Sequence, residues 1–273
     1  MTVFEEFINS KLPIKKELQM IFAKCEPSVI FDIGACEGED SIRYSLLFDK
    51  AIVYSFEPLP SNYAKCLTNF TEFSNTHIKA FQLALSNTNG VANFFISSGR
   101  PEGTEDSDWN FGNKSSSLYP PEPSYKQNYW LKFENKIEVK TQTITSFCKE
   151  QLIQKIDFIH MDVQGAELNV LKGAEDKLYS INAIWLEVEN VSMYQGQPLR
   201  KDIEKFMKQS GFIKVVDTAV YADAGDQLYI NLAYYSKLNK FTIKLQTITL
   251  LKFIYFKLLP SAIRNVLKSH FLK

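Results

Sequence analysis

The chain has 273 residues, of which 45% are hydrophobic and 14% aromatic, with 31 basic side chains balanced by 31 acidic ones. That composition excludes a disordered or fibrous protein, and the length allows one large α/β core or two small ones. The balance of charge is uneven: residues 237–273 carry seven Lys and one Arg with no acid, leaving 23 basic against 31 acidic side chains elsewhere.

Residues 2–24 have the apolar spacing of an amphipathic helix, or of two with a break before Pro13. Strand and helix patterns then alternate. "SVIFDI" (28–33) reads as a strand, 38–48 as a helix, "AIVYSFE" (51–57) as a strand and 61–70 as a helix. "IKAFQLAL" (78–85) is a third strand, followed by a turn at Asn89-Gly90 and the hairpin-like "VANFFIS" (91–97). Beyond an irregular stretch come a strand at 136–142, a helix near 145–153 and a buried strand at 156–161. A helix over 165–174, a strand at 183–189 and a helix near 199–210 follow. The last strands are 211–217 and 227–235, adjoining without a helix and so expected to form an antiparallel edge. Strands separated by single helices predict a parallel, doubly wound sheet. The expected organisation is one domain over 1–236, with its core at 28–235, and a helical appendage at 237–273.

Two strand ends carry chemistry. "VIFDIGACEG" (29–38) ends a buried strand on Asp32, and Gly34 and Gly38 then open a helix, which lets backbone pass close to a ligand. Cys36 occupies the middle glycine position of a dinucleotide fingerprint and no G-K-[ST] follows, so a pyrophosphate ligand is disfavoured. Glu57, in "YSFEP", closes the next strand 25 residues after Asp32, where an acid can accept from both ribose hydroxyls. The plainer reading of Glu57 is a surface acid before a turn proline. Together the two ends describe a nucleoside without a pyrophosphate, and S-adenosylmethionine fits. A third strand ends in "FIHMDVQGAELNVLKGAE" (158–175), where Asp162 is either a helix cap or an acid on the ligand-bearing edge of the sheet. His160 shares the side of Asp162 and reads first as a core histidine, while Glu167 and Lys172 read as a helix-surface pair.

"FDIGACEGEDSI", "YSFEPLPSNYAKCLTNF", "LALSNTNGVANFF", "IDFIHMDVQGAELNVLKGAE" and "DQLYIN" resemble, in order and spacing, the FkbM-type methyltransferases over roughly 28–235. The resemblance implies a Rossmann-like, seven-stranded, mostly parallel sheet of the class I methyltransferase kind. It also implies an S-adenosylmethionine-dependent enzyme that methylates a hydroxyl of a sugar, glycan or similar metabolite. It carries Asp32, Gly34, Gly38 and Glu57 over to the cofactor, joined by the adjacent Ala35 and Pro58 and by Ser86 after the third strand. Asp162 is carried to the active-site edge. Cys36 departs from the family's usual Asn, which keeps open a non-catalytic binding protein tethered to membrane by its tail.

Methyl transfer to an alcohol needs a general base or a metal. Asp162, Glu187 and Glu189 are the base candidates, with Asp162 and Glu187 preferred as catalytic. A magnesium-type ion on these three acids is the alternative, not favoured because no clustered ligand spacing is present. Residues 98–135 show no regular pattern but carry Trp109, Phe111, Tyr119, Tyr125, Tyr129, Trp130 and Phe133, with Asn113 and Ser115 to Ser117 among them. They suit a sugar-like or planar acceptor, or else pack as an insertion on the sheet. The tail reads as two basic amphipathic helices broken at Pro260, lying on an anionic membrane or capping the domain. Nucleic acid is not an expected partner. The acidic start is no secretory signal, no run of 18 apolar residues is long enough to span a bilayer, and four scattered cysteines without zinc spacing fit the cytoplasm.

Overall fold

In the computed structural model, which describes residues 2–73, 77–104, 112–123, 130–220 and 222–236, the N-terminal segment forms two helices, α1 (Val3–Asn9) and α2 (Lys15–Ile21). The side chain of Thr2 accepts from Glu5 N–H while Glu5 accepts from Thr2 N–H, a reciprocal cap that fixes where α1 starts. Then come β1 (Val29–Ile33), α3 (Glu39–Leu47), β2 (Ile52–Phe56), α4 (Pro60–Glu72) and β3 (Ile78–Phe81). Proline opens α4, where its missing N–H costs nothing.

The strand expected at 78–85 is two strands. After Phe81 the chain leaves the main sheet, and β4 (Ala84–Leu85) joins a small second sheet with β5 (Gly90–Ser98) and β6 (Lys132–Gln142). β5 and β6 pair antiparallel as a long arm, Gly90 opposite Thr141, while β4 runs parallel to β6. The segment between the arms, expected to lack regular structure, holds a 3-10 turn at Gly112–Ser115, and β6 already begins at Lys132. Trp109, Phe111, Tyr125 and Tyr129 lie outside the described residues, as does the whole basic tail at 237–273.

The chain continues through α5 (Ile144–Glu150), β7 (Ile156–Met161), α6 (Glu167–Lys172), β8 (Ile181–Glu189), α7 (Arg200–Gln209), β9 (Phe212–Asp217), β10 (Ala224–Asn231) and α8 (Leu232–Tyr235). The main sheet has seven strands in the order β3-β2-β1-β7-β8-β10-β9. The last two strands form the expected antiparallel pair at an edge of the sheet, with β10 on the inner side between β8 and β9 and opposing both. The final strand also ends early, because the Asn231 side chain accepts from Ala233 N–H and starts a helical turn.

Period-two alternation along the strands splits the core between both faces of the sheet. Phe31, Ile33, Ile159, Met161, Ile184 and Leu186 face α5, α6 and α7. Ile30, Phe158, Ala183, Trp185 and Leu228 face α2 and α3. The parallel strands therefore all end at one edge, which brings the loops after β1, β2, β7 and β8 together.

Candidate active site

The turn after β1 is held by its own backbone. Gly34 adopts φ +88°, and a Cβ there would collide with the Asp162 carbonyl, so only glycine lets the β1 and β7 turns touch. Gly38 caps α3 and lies against the Phe70 ring, and Ala35 is buried with Ile42, Cys66 and Phe70. Cys36 takes φ +52°, a left-handed conformation in which Asn is enriched among residues with a side chain.

A cleft lies above this turn. Gly34, Cys36, Glu57 and Pro58 form one wall, and Leu83 to Leu85 with Phe94 form an apolar one. Asn113, Lys114, Ser116 and Leu118 from the segment between the arms form a third, and Asp162 to Gln164 close the end. Glu57 accepts from the backbone N–H of Cys36 at 2.9 Å and of Leu59 at 2.7 Å. Burial pushes its carboxyl up to about 8 despite these two bonds. The bond to residue 36 comes from main chain, so cysteine in place of asparagine leaves it intact, and the departure at Cys36 gives no support to a non-catalytic reading.

The residues present fit S-adenosylmethionine. Glu57 offers acceptor oxygens for a ribose diol, Leu83, Leu85 and Leu118 offer apolar surface for a base, and the buried Asn113 Oδ1 has no hydrogen-bond partner. Of the expected cofactor residues, Gly34, Glu57 and Pro58 line the cleft, whereas Asp32, Ala35, Gly38 and Ser86 lie behind its walls. Asp32, 1% exposed, accepts from Ser41 Oγ at 2.5 Å and lies 2.9 Å from His160 Nδ1. Ser86 donates its N–H to the Gln142 carbonyl and anchors the small sheet.

At the end of β7 the chain turns through two left-handed residues, Gln164 at φ +54° and Gly165 at φ +90°. The Gln164 amide donates to Asp162 Oδ1 at 2.7 Å and to Glu187 Oε2 at 3.0 Å, bringing the two expected catalytic acids onto one group. Burial, reinforced by Asp162, Glu189 and Glu167, raises the Glu187 carboxyl well above its usual range. Glu189 is buried beside it and pushed up to about 9 by burial and the same acids. Although burial pulls His160 down, Asp32, Asp40 and Asp162 hold it up at about 9, so it is the cation of this edge rather than a plain core side chain.

Three participants were not anticipated. Gln164 is the bridge itself. Tyr194 Oη, after β8, reaches the Gln164 side-chain carbonyl at 2.9 Å and the Ser115 carbonyl at 2.8 Å. Glu167 does not form the expected surface pair with Lys172: it is 2% exposed and accepts from Val163 N–H and Gly165 N–H, locking the turn. Only Glu167 left a trace in the sequence, an acid placed to cap a glycine turn that opens a helix. Among the described residues no three His, Cys, Asp or Glu side chains are grouped to hold a metal ion.

Residues 32–214 match the family described as Methyltransferase FkbM domain. The chain is 33% identical over 193 residues to the 2-O-methyltransferase NoeI of Sinorhizobium fredii, covering 70% of this chain and 76% of that one. It is 26% identical over 216 residues to the methyltransferase sdnD of Sordaria araneosa, covering 71% and 76%. A solved structure, TrmK of M. capricolum with S-adenosyl-homocysteine, overlaps 79% of this chain and 67% of its own at 15% identity, with a TM-score of 0.43. With two thirds of its length inside the family domain and a relative one-third identical, the chain belongs to the FkbM methyltransferases, which use S-adenosylmethionine as methyl donor.

Proposed function

We propose that the chain methylates a hydroxyl of a sugar, glycan or similar metabolite, with Asp162 as the group that takes the hydroxyl proton. The observation that carries this reading is the Gln164 amide bridging Asp162 and Glu187 at the end of the cleft. The cofactor supplies an electrophilic methyl group when bound. What remains for the protein is to align an oxygen with that group and to accept its proton.

Asp162 lines the cleft and Glu187 stands behind it, its carboxyl raised by burial and the neighbouring acids. A hydroxyl seated at this end of the cleft would pass its proton to Asp162 as its oxygen takes the methyl group. Gln164 holds the acid in place, and Tyr194 and Glu167 hold Gln164 and its turn. The relative NoeI, an O-methyltransferase by name, supports oxygen as the acceptor atom.

The test is S-adenosylhomocysteine release with mono- and oligosaccharide acceptors, comparing the parent chain with Asp162→Asn. Loss of a general base should lower turnover by about 10²–10⁴-fold while S-adenosylhomocysteine binding stays unchanged by calorimetry. Turnover lost to EDTA and restored by magnesium would instead make the acids metal ligands.

A further inference from the structure

The cleft has a wall that no part of the β1, β2 or β7 turns provides. Gly112–Ser115 crosses its mouth as a strap, and Gly112 runs so close to the backbone of Ser98 and Gly99 that a Cβ would not fit. Asn113 donates to Asn62 Oδ1 at 2.8 Å and to Glu37 Oε1 at 3.2 Å. Ser115 N–H donates to Ser97 Oγ at 3.1 Å, and the Ser115 carbonyl lies 2.8 Å from Tyr194 Oη. Lys114 is thus fixed at its backbone by bonded neighbours on both sides. Its ammonium lies 3.3 Å from Glu39 Oε1 at the start of α3, beside the Gly34–Gly38 turn.

Among the described residues lining the cleft, Glu57 and Asp162 are the acids and Lys114 is the cation. S-adenosylmethionine carries a carboxylate at its amino-acid end, and of these three side chains Lys114 alone can offer it an opposite charge. With the ribose on Glu57, an amino-acid end laid along the β1 turn would reach toward α3, where Lys114 pairs with Glu39. We infer that Lys114 is a cofactor-binding residue: its ammonium receives the methionyl carboxylate, so that the strap between the hairpin arms completes the cofactor site. Lysine suits this role, since a compact charge on a long stem can pair with Glu39 and with an arriving carboxylate together. The inference rests on the cofactor and not on the identity of the acceptor.

The experiment is calorimetry on the full chain with two probes, S-adenosylhomocysteine and 5′-methylthioadenosine, which shares the nucleoside but lacks the amino-acid end. Lys114→Met should weaken S-adenosylhomocysteine roughly 10–100-fold, the scale of a charge-assisted hydrogen bond. It should leave methylthioadenosine within about two-fold, since the shared nucleoside contacts are retained. Lys114→Arg should recover most of the lost affinity, and salt should weaken S-adenosylhomocysteine less in the Met variant than in the parent. Equal losses for both probes would make the strap a support for the cleft and overturn the assignment, as would no loss for either. A parent chain that binds neither probe would overturn it together with the cofactor.

Discussion

Replacing Glu57 with alanine separates what this carboxylate does for the fold from what it does for the cofactor. The side chain accepts two backbone N–H groups, from Cys36 at 2.9 Å and Leu59 at 2.7 Å, in a residue 6% exposed. A buried donor left without a partner costs about 1–3 kcal/mol. Cys36 borders the cleft, where water can replace the lost acceptor, so the pair together should cost about 2–3 kcal/mol, most of it from the buried Leu59 N–H. For a chain of this size each kcal/mol shifts Tm by about 2–4 °C, which gives a fall of about 4–12 °C without ligand. Binding should suffer separately. Losing hydrogen bonds from the ribose hydroxyls to this acceptor should cost about 1–3 kcal/mol, or roughly 5–150-fold in Kd for S-adenosylhomocysteine. Scanning fluorimetry measures the first quantity and calorimetry the second, on the same variant. A lowered Tm with an unchanged Kd would place the ribose elsewhere in the cleft. An unchanged Tm would refute the backbone bonds on which the reasoning stands.

The ligand-free protein should lose stability as pH rises. Burial pushes Asp226 up to about 6, Glu39 and Glu167 to about 7, Glu57 to about 8 and Glu189 to about 9. Each binds its proton more tightly folded than unfolded, so this stability is full below about pH 4 and drains away from there until pH passes the folded values, at about pH 9 for the last; a Tm that holds flat to pH 9 would contradict it. At the basic tail, outside the described residues, the chain ending at Lys237 should fail to co-sediment with anionic vesicles that the full chain binds. That binding should fall with salt, since charge is screened over about 10 Å at 0.1 M, and a full chain that never sediments would remove the membrane reading.

What was legible in the sequence was local. Continuous apolar runs marked the strands because both faces of this sheet are covered, and Ile30 and Phe31 or Phe158 and Ile159 show it by falling into opposite cores. Asp162 and Glu57 were visible as acids closing apolar runs. Glu167 was misread because a helix-surface pair is the ordinary fate of such a residue, whereas Gln164 and Gly165 in left-handed conformations turn the Val163 and Gly165 N–H groups toward an acid three residues after Gln164. The turn residues contained that answer; side-chain spacing on the helix did not.

The remainder depends on register and on long connections, which no local pattern encodes. Asp32 meets His160 because β1 and β7 pair with those residues opposite each other, 128 positions apart in the chain. That pairing engages the Asp32 carboxylate, which the resemblance assigns to the cofactor, with His160. Tyr194 reaches Ser115 across 79 positions and ties the strap to the turn that carries Gln164. The same strap brings Lys114 to Glu39 across 75. A displacement of the strap would therefore move the cation at the cofactor end and the bridge between the two acids together. Cofactor binding and acid alignment are in this way mechanically joined through a segment that, in the sequence, shows no regular pattern at all.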